Sequence, residues 1–127
     1  MKNLFLGIDL GTTYSACAYI DDAGTARIVT NREGDNTTPS VAFLETKDSV
    51  IVGQTAKDNC CMHPGKVVSL VKNSMGKVNP DQTPVMIETD HGEYMPEAIS
   101  GFILSKLVAD ANAALGRGIG SCVRQSA

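Results

Sequence analysis

The chain has 127 residues, 43% of them apolar and 20% charged, with 11 basic against 14 acidic side chains and a formal net charge of -3. That length permits one small domain or a piece of a larger one, and the composition belongs to a folding chain, not to a disordered or collagen-like one. The acidic balance, with no basic run, argues against a nucleic-acid binder whose affinity comes from neutralising phosphates.

At the N-terminus, Asp9 cuts off the apolar stretch before the roughly 7–15-residue core of a secretion signal forms, so a cytoplasmic location is expected. No run approaches the roughly 18 uninterrupted apolar residues of a membrane span, and no membrane partner is expected. Residues 4–8 read by their length as a strand buried on both faces. After the tight Gly11-Thr12-Thr13 stretch, residues 14–20 are small, aromatic and β-branched and predict a second strand. Turn chemistry at Asp21-Asp22-Ala23-Gly24 leads to a third strand over 26–30, giving an antiparallel meander.

Residues 31–38 are polar, and Pro39 favours extended geometry ahead of a strand over 40–44; a further strand is expected over 49–52. Residues 53–62 predict a helix, broken at His63-Pro64-Gly65, and 67–75 a second short amphipathic helix carrying Lys72 and ended by Gly76. A strand over 84–89 turns through Asp90-His91-Gly92-Glu93 into a short return strand. Pro96 opens the longest helix. Ile99, Ile103, Leu107, Ala111 and Ala114 recur on one face, Lys106 and Asp110 are expected to face water, and Gly116 marks the end.

The four cysteines, Cys17, Cys60, Cys61 and Cys122, form no C-x-x-C pair, so reduced thiols are expected. Cys60-Cys61-Met62-His63 lacks a second ligand pair to complete a tetrahedral metal shell. Gly116-Arg117-Gly118-Ile119-Gly120 follows a helix and is no strand-to-helix phosphate turn, and no Walker-type loop occurs. The stronger candidate is Gly7-Ile8-Asp9-Leu10-Gly11-Thr12-Thr13-Tyr14-Ser15, where a strand delivers a carboxylate to its end and turns sharply. Gly11 leaves room for an anion, the N–H groups of Thr12, Thr13 and Tyr14 are able to converge on phosphate oxygens, and two hydroxyls add donors. Asp9 would repel a bare phosphate, so it fits best with Mg²⁺ and its waters between them. The alternative reading is a plain hairpin turn that Asp9 caps.

The G-I-D-L-G-T-T-Y-S segment resembles the first phosphate motif of the actin-like ATPase superfamily, and within it the 70 kDa heat-shock (DnaK-type) chaperones. Thr37-Thr38-Pro39-Ser40-Val41 is similar to their T-T-P-S segment, Val52-Gly53-Gln54-Thr55-Ala56-Lys57 to their V-G-x-x-A-K, and Val71-Lys72-Asn73-Ser74-Met75-Gly76 to their V-K-R-x-x-G. Pro96-Glu97-Ala98-Ile99-Ser100 through Leu104 is similar to the start of their next helix. The resemblance implies an α/β fold: a partial actin-like, ribonuclease-H-like lobe with an N-terminal β-meander, a smaller α/β subdomain and a long helix. Residues 1–127 would be an incomplete nucleotide-binding domain, its first lobe only, without the peptide-binding domain.

Carried over residue by residue, the resemblance implies that Gly11, Thr12, Thr13 and Tyr14 contact the phosphates of ATP or ADP. Asp9 would stand in the Mg²⁺ shell through water, and Lys72 would act as the catalytic cation at the γ-phosphate and attacking water. Asn73 departs from the family's arginine. Implied partners of the whole protein are unfolded or extended apolar peptides, a J-domain co-chaperone and a nucleotide-exchange factor. The tail over 121–127 begins like the next family strand, but Arg124 and Gln125 replace its apolar run. The strand beside the first is therefore expected beyond residue 127, which would leave an open apolar edge and favour self-association. With one wall of a cleft, the 127 residues are expected to hydrolyse ATP negligibly by themselves. A sugar or acyl kinase of the same superfamily, or an actin-like structural module, are the alternatives; the T-T-P-S and V-G-x-x-A-K segments argue against the first.

Overall fold

The computed structural model describes residues 5–70, 86–116 and 121–126. β1 (Phe5–Leu10) runs antiparallel to β2 (Tyr14–Ile20), with Leu6 opposite Tyr19 and Leu10 opposite Ser15. Leu6, Ile8 and Leu10 are buried while Gly7 and Asp9 are exposed, so the strand buries one face and not the expected two. The period-two pleat explains it: Gly7 and Asp9 interrupt the apolar run on the outward side. β3 (Ala26–Ile28) extends the meander beside β2, and the two-residue β4 (Thr38–Pro39) pairs with the start of β2, Tyr14 opposite Pro39 and Ser15 opposite Thr38.

The other flank of β1 is covered from within the chain. β10 (Ser121–Ser126) pairs with it in parallel, Phe5 opposite Ser121 and Asp9 opposite Gln125, reached through a long helix as parallel neighbours require. The neighbour expected beyond residue 127 thus lies at 121–126, and the reason for expecting self-association through an open β1 edge falls away. Backbone pairing along β1 tolerates Arg124 and Gln125, which an apolar-run criterion rejects.

A second sheet has the order β6-β5-β7, built from β5 (Val41–Thr46), β6 (Ser49–Val52) and β7 (Val67–Ser69). Here the helix expected over 67–75 is corrected at its described start, residues 67–70, while 71–75 lie outside the described residues. Val67 and Val68 are β-branched, and β7 pairs with β5, Phe43 opposite Val67. Lys72 lies outside the described residues. The helix expected over 53–62 is confined to α1 (Gln54–Asp58), followed by turns and a 3₁₀ turn at Pro64–Lys66. β8 (Ile87–Thr89) and β9 (Gly92–Tyr94) form a hairpin whose Asp90 N–H donates to Gly65 O at 2.9 Å.

The longest helix, α2 (Pro96–Leu115), has Pro at its first turn and ends on left-handed Gly116. Ile99, Ile103, Leu107 and Ala111 stack on one face at four-residue steps and join Leu6, Ile8, Leu10 and Leu44 in the main core. By length and composition α2 would suffice to cross a membrane, but this stripe is packed against the sheets. Lys106 and Asp110 do not face water as expected. Asp110 is only 3% exposed, paired with Lys106 Nζ and 3.4 Å from Arg32 Nε, and Lys106 Nζ also reaches Glu33 Oε1 at 2.9 Å. The polar loop after β3 lies over this side of the helix, so its Arg32 joins Lys106 in compensating a buried carboxylate, while its Glu33 shares the lysine.

Candidate functional site

Gly11, Thr12 and Thr13 join β1 to β2, and the turn is held from behind by residues far along the chain. Ser40 Oγ donates to Gly11 O at 2.7 Å, and Ser40 N–H donates to Thr13 O at 2.9 Å. Ser15 Oγ lies 2.8 Å from Ser40 Oγ; with the Ser40 proton committed to Gly11, Ser15 is the donor of that bond. Both serines are buried, at 1% and 0% exposure, so the relay satisfies two hydroxyls that would otherwise be costly.

This clamp orients the turn. In a planar trans peptide the C=O of one residue and the N–H of the next point in opposite directions. With the carbonyls of Gly11 and Thr13 drawn to Ser40, the N–H groups of Thr12 and Tyr14 are turned away from it. Thr12 and Thr13 are exposed, and Tyr14 is half exposed. Gly11 itself is buried, and a Cβ there would overlap the carbonyl oxygen of Tyr14. The glycine is therefore required by closure of the loop on itself, where the sequence reading assigned it to close approach of an anion.

Asp9 stands exposed on β1, opposite Ala16 of β2 and Gln125 of β10. Among the described residues its carboxylate takes no hydrogen bond or ion pair. Lys57 of α1 brings a cation to the same side: its Nζ donates to Tyr14 Oη at 3.1 Å and lies 5.2 Å from the centre of that ring. Gly53 places α1; its N–H donates to Val41 O at 3.0 Å, its φ is 107°, and a Cβ there would press on Lys106 Cε and Thr38 Cγ2 at 3.2 Å. Thr13 and Lys57 line a cleft of about 280 Å³ with Val41, Cys60, Pro64, Val67 and Ser69.

The structure thus brings together Asp9, Gly11, Thr12, Thr13 and Tyr14, while Lys72 lies outside the described residues. Sequence reasoning missed Lys57, Ser15 and Ser40. Their motifs were recognised, but the contacts join residues 25 to 43 positions apart, and no local pattern reports such pairings. An exposed carboxylate, outward N–H groups, two hydroxyls and an ammonium are the donor set that a magnesium-bound polyphosphate requires, so the residues fit that group.

The pattern of the family described as Hsp70 protein matches residues 5–125 of the chain. The chain is 38% identical over 115 residues to the chaperone protein DnaK of Thermotoga petrophila and to that of Thermotoga maritima, and 35% identical over 115 residues to that of Thermosipho melanesiensis. Each alignment covers 91% of this chain and 18% of the relative, so the chain spans less than a fifth of the length of these curated proteins.

Proposed function

The chain belongs to the Hsp70 family, and on that premise we propose that it forms the first phosphate-binding part of an ATPase domain in a cytoplasmic chaperone that binds exposed apolar peptide segments. The observation that carries this reading is the clamp of Ser40 on Gly11 and Thr13, which aims the N–H groups of Thr12 and Tyr14 away from the buried side of the turn. Those N–H groups and the threonine hydroxyls hold phosphate oxygens, each charge-assisted bond contributing about 1.5–3 kcal/mol. Gly11 keeps the turn closed. Asp9 would hold Mg²⁺ through water, and the ion would supply the positive charge that separates the triphosphate from this carboxylate. Lys72 stabilises charge on the γ-phosphoryl oxygens.

The partners of the whole protein are extended apolar peptides, a J-domain co-chaperone and a nucleotide-exchange factor, as in the family. The 127 residues alone turn over ATP negligibly, because phosphoryl transfer depends on groups placed around the nucleotide from more than one side. In the full-length protein that carries this segment, Lys72→Ala abolishes hydrolysis while calorimetry still detects Mg-ATP binding. Turnover unchanged by that substitution would contradict the assignment.

A further inference from the structure

Cys60 and Cys61 follow α1, and the nucleotide reading leaves them without a role. Their turn is pinned at both ends: Cys60 N–H donates to Lys57 O at 3.2 Å and His63 N–H to Asn59 O at 2.9 Å. Both thiols are exposed, and their sulfurs stand 3.8 Å apart. Cys60 also lines the cleft whose apolar walls are Val41, Pro64 and Val67.

We propose that Cys60 and Cys61 form a dithiol site for a monosubstituted trivalent arsenical, both sulfurs bonding the arsenic and its apolar substituent lying in the cleft. The geometry selects this class among soft partners. A disulfide is disfavoured, because adjacent Cα atoms stand about 3.8 Å apart whereas disulfides span roughly 4.4–6.8 Å. Zinc needs a four-ligand shell, and among the described residues no group of three or more His, Cys, Asp or Glu is placed to hold a metal. A linear two-coordinate ion needs its sulfurs on opposite sides, wider than these stand. Pyramidal arsenic needs two sulfurs on one side and carries its third bond outward, toward the cleft.

The reaction balances without an oxidant. An arsonous acid R–As(OH)₂ exchanges two As–O bonds for two As–S bonds, and the thiol protons leave with the hydroxyls as two waters. Cys17 does not compete: it is buried, and burial first, then the negative charge of Asp110, pushes its thiol up to about 11, so that it stays protonated.

The inference does not rest on the nucleotide reading, although Thr13 and Lys57 line the same cleft, and its test uses no nucleotide. One equivalent of phenylarsonous acid is added to the chain and intact mass is followed while a monothiol is titrated in. The expected result is one phenylarsenic per chain with loss of two hydrogens, resistant to monothiol and removed by a dithiol. Cys60→Ser and Cys61→Ser each release the adduct at roughly 10²-fold or more lower monothiol, since the second sulfur acts at high effective concentration. Cys122→Ser retains it. Equal retention in the wild type and either Cys60→Ser or Cys61→Ser would overturn the site. A methyl arsenical lost no faster than the phenyl one would overturn the placement of the substituent in the cleft.

Discussion

β2 is flanked by two tight turns, one entered past Asp9 on β1 and the other opened by Asp21, and these two carboxylates are treated in opposite ways. At the far turn Asp21 is consumed by its own neighbourhood: Oδ1 accepts the N–H groups of Ala23 and Thr25 at 3.0 and 2.9 Å, and Oδ2 accepts Arg27 Nε at 2.9 Å. The Arg27 hydrogen bond, then the backbone donors, hold that carboxyl below its ordinary value of 3.8. At the near turn nothing among the described residues is bonded to Asp9, and the loop is fixed from behind by Ser40 and Ser15. A turn whose acid satisfies its own backbone is a structural corner. A turn whose stability is supplied from the rear leaves its acid and N–H groups available to a ligand.

The largest effect expected from disturbing this contrast comes from Lys106→Met. The ammonium joins Asp110 to Glu33 and so ties the loop that leads into Thr38, Pro39 and Ser40. Its removal leaves a buried carboxylate with Arg32 alone, at a cost of about 3 kcal/mol, the low end for a broken buried pair. Thermal denaturation measures it; an unchanged midpoint would mean that the network does not support the rear of the near turn. Ser40→Ala should cost less, about 1–3 kcal/mol, because Ser15 Oγ and Gly11 O lose their buried partner. Hydrogen exchange at the residue-40 amide, which donates to Thr13 O, should accelerate with it, and an exchange rate equal to that of the wild type would contradict the clamp.

Asp21→Asn gives the smallest change, visible in its pH dependence. Because the folded carboxyl titrates below the unfolded one, its contribution is complete above the unfolded value and is lost as pH falls through the lowered folded value. The stability difference between the wild type and Asp21→Asn should therefore shrink on acidification from neutral pH to below 3.8. A difference constant over that range would show that the local bonds of Asp21 do not act as described.

The meander was legible because run length, β-branched and aromatic composition and the turn chemistry of Asp21 through Gly24 agree, although the one-sided alternation of Leu6, Ile8 and Leu10 against Gly7 and Asp9 was read as burial on both faces. α2 was legible from Ile99, Ile103, Leu107 and Ala111 between Pro96 and Gly116. Val67 and Val68 were misread as the start of a helix since a three-residue strand is too short to show its period, and pairing with β5 decides it. The tail's likeness to a strand was seen but set aside because Arg124 and Gln125 break its apolar run, whereas the place of β10 is set by hydrogen bonds to β1. The acid, the glycine and the threonines of the candidate site stand in one contiguous segment, readable as a unit. Ser40, Lys57 and Lys106 reach it only through the tertiary register, which no window along the chain contains.

The most direct measurement compares Mg-ATP affinity of Asp9→Asn and Asp21→Asn by calorimetry in the full-length protein that carries this segment. The account predicts a loss of roughly tenfold or more for Asp9→Asn, at least about 1.4 kcal/mol, with Asp21→Asn indistinguishable from the wild type. Equal affinities for both variants and the wild type would contradict it, and would leave the near turn a corner of the same kind as the far one.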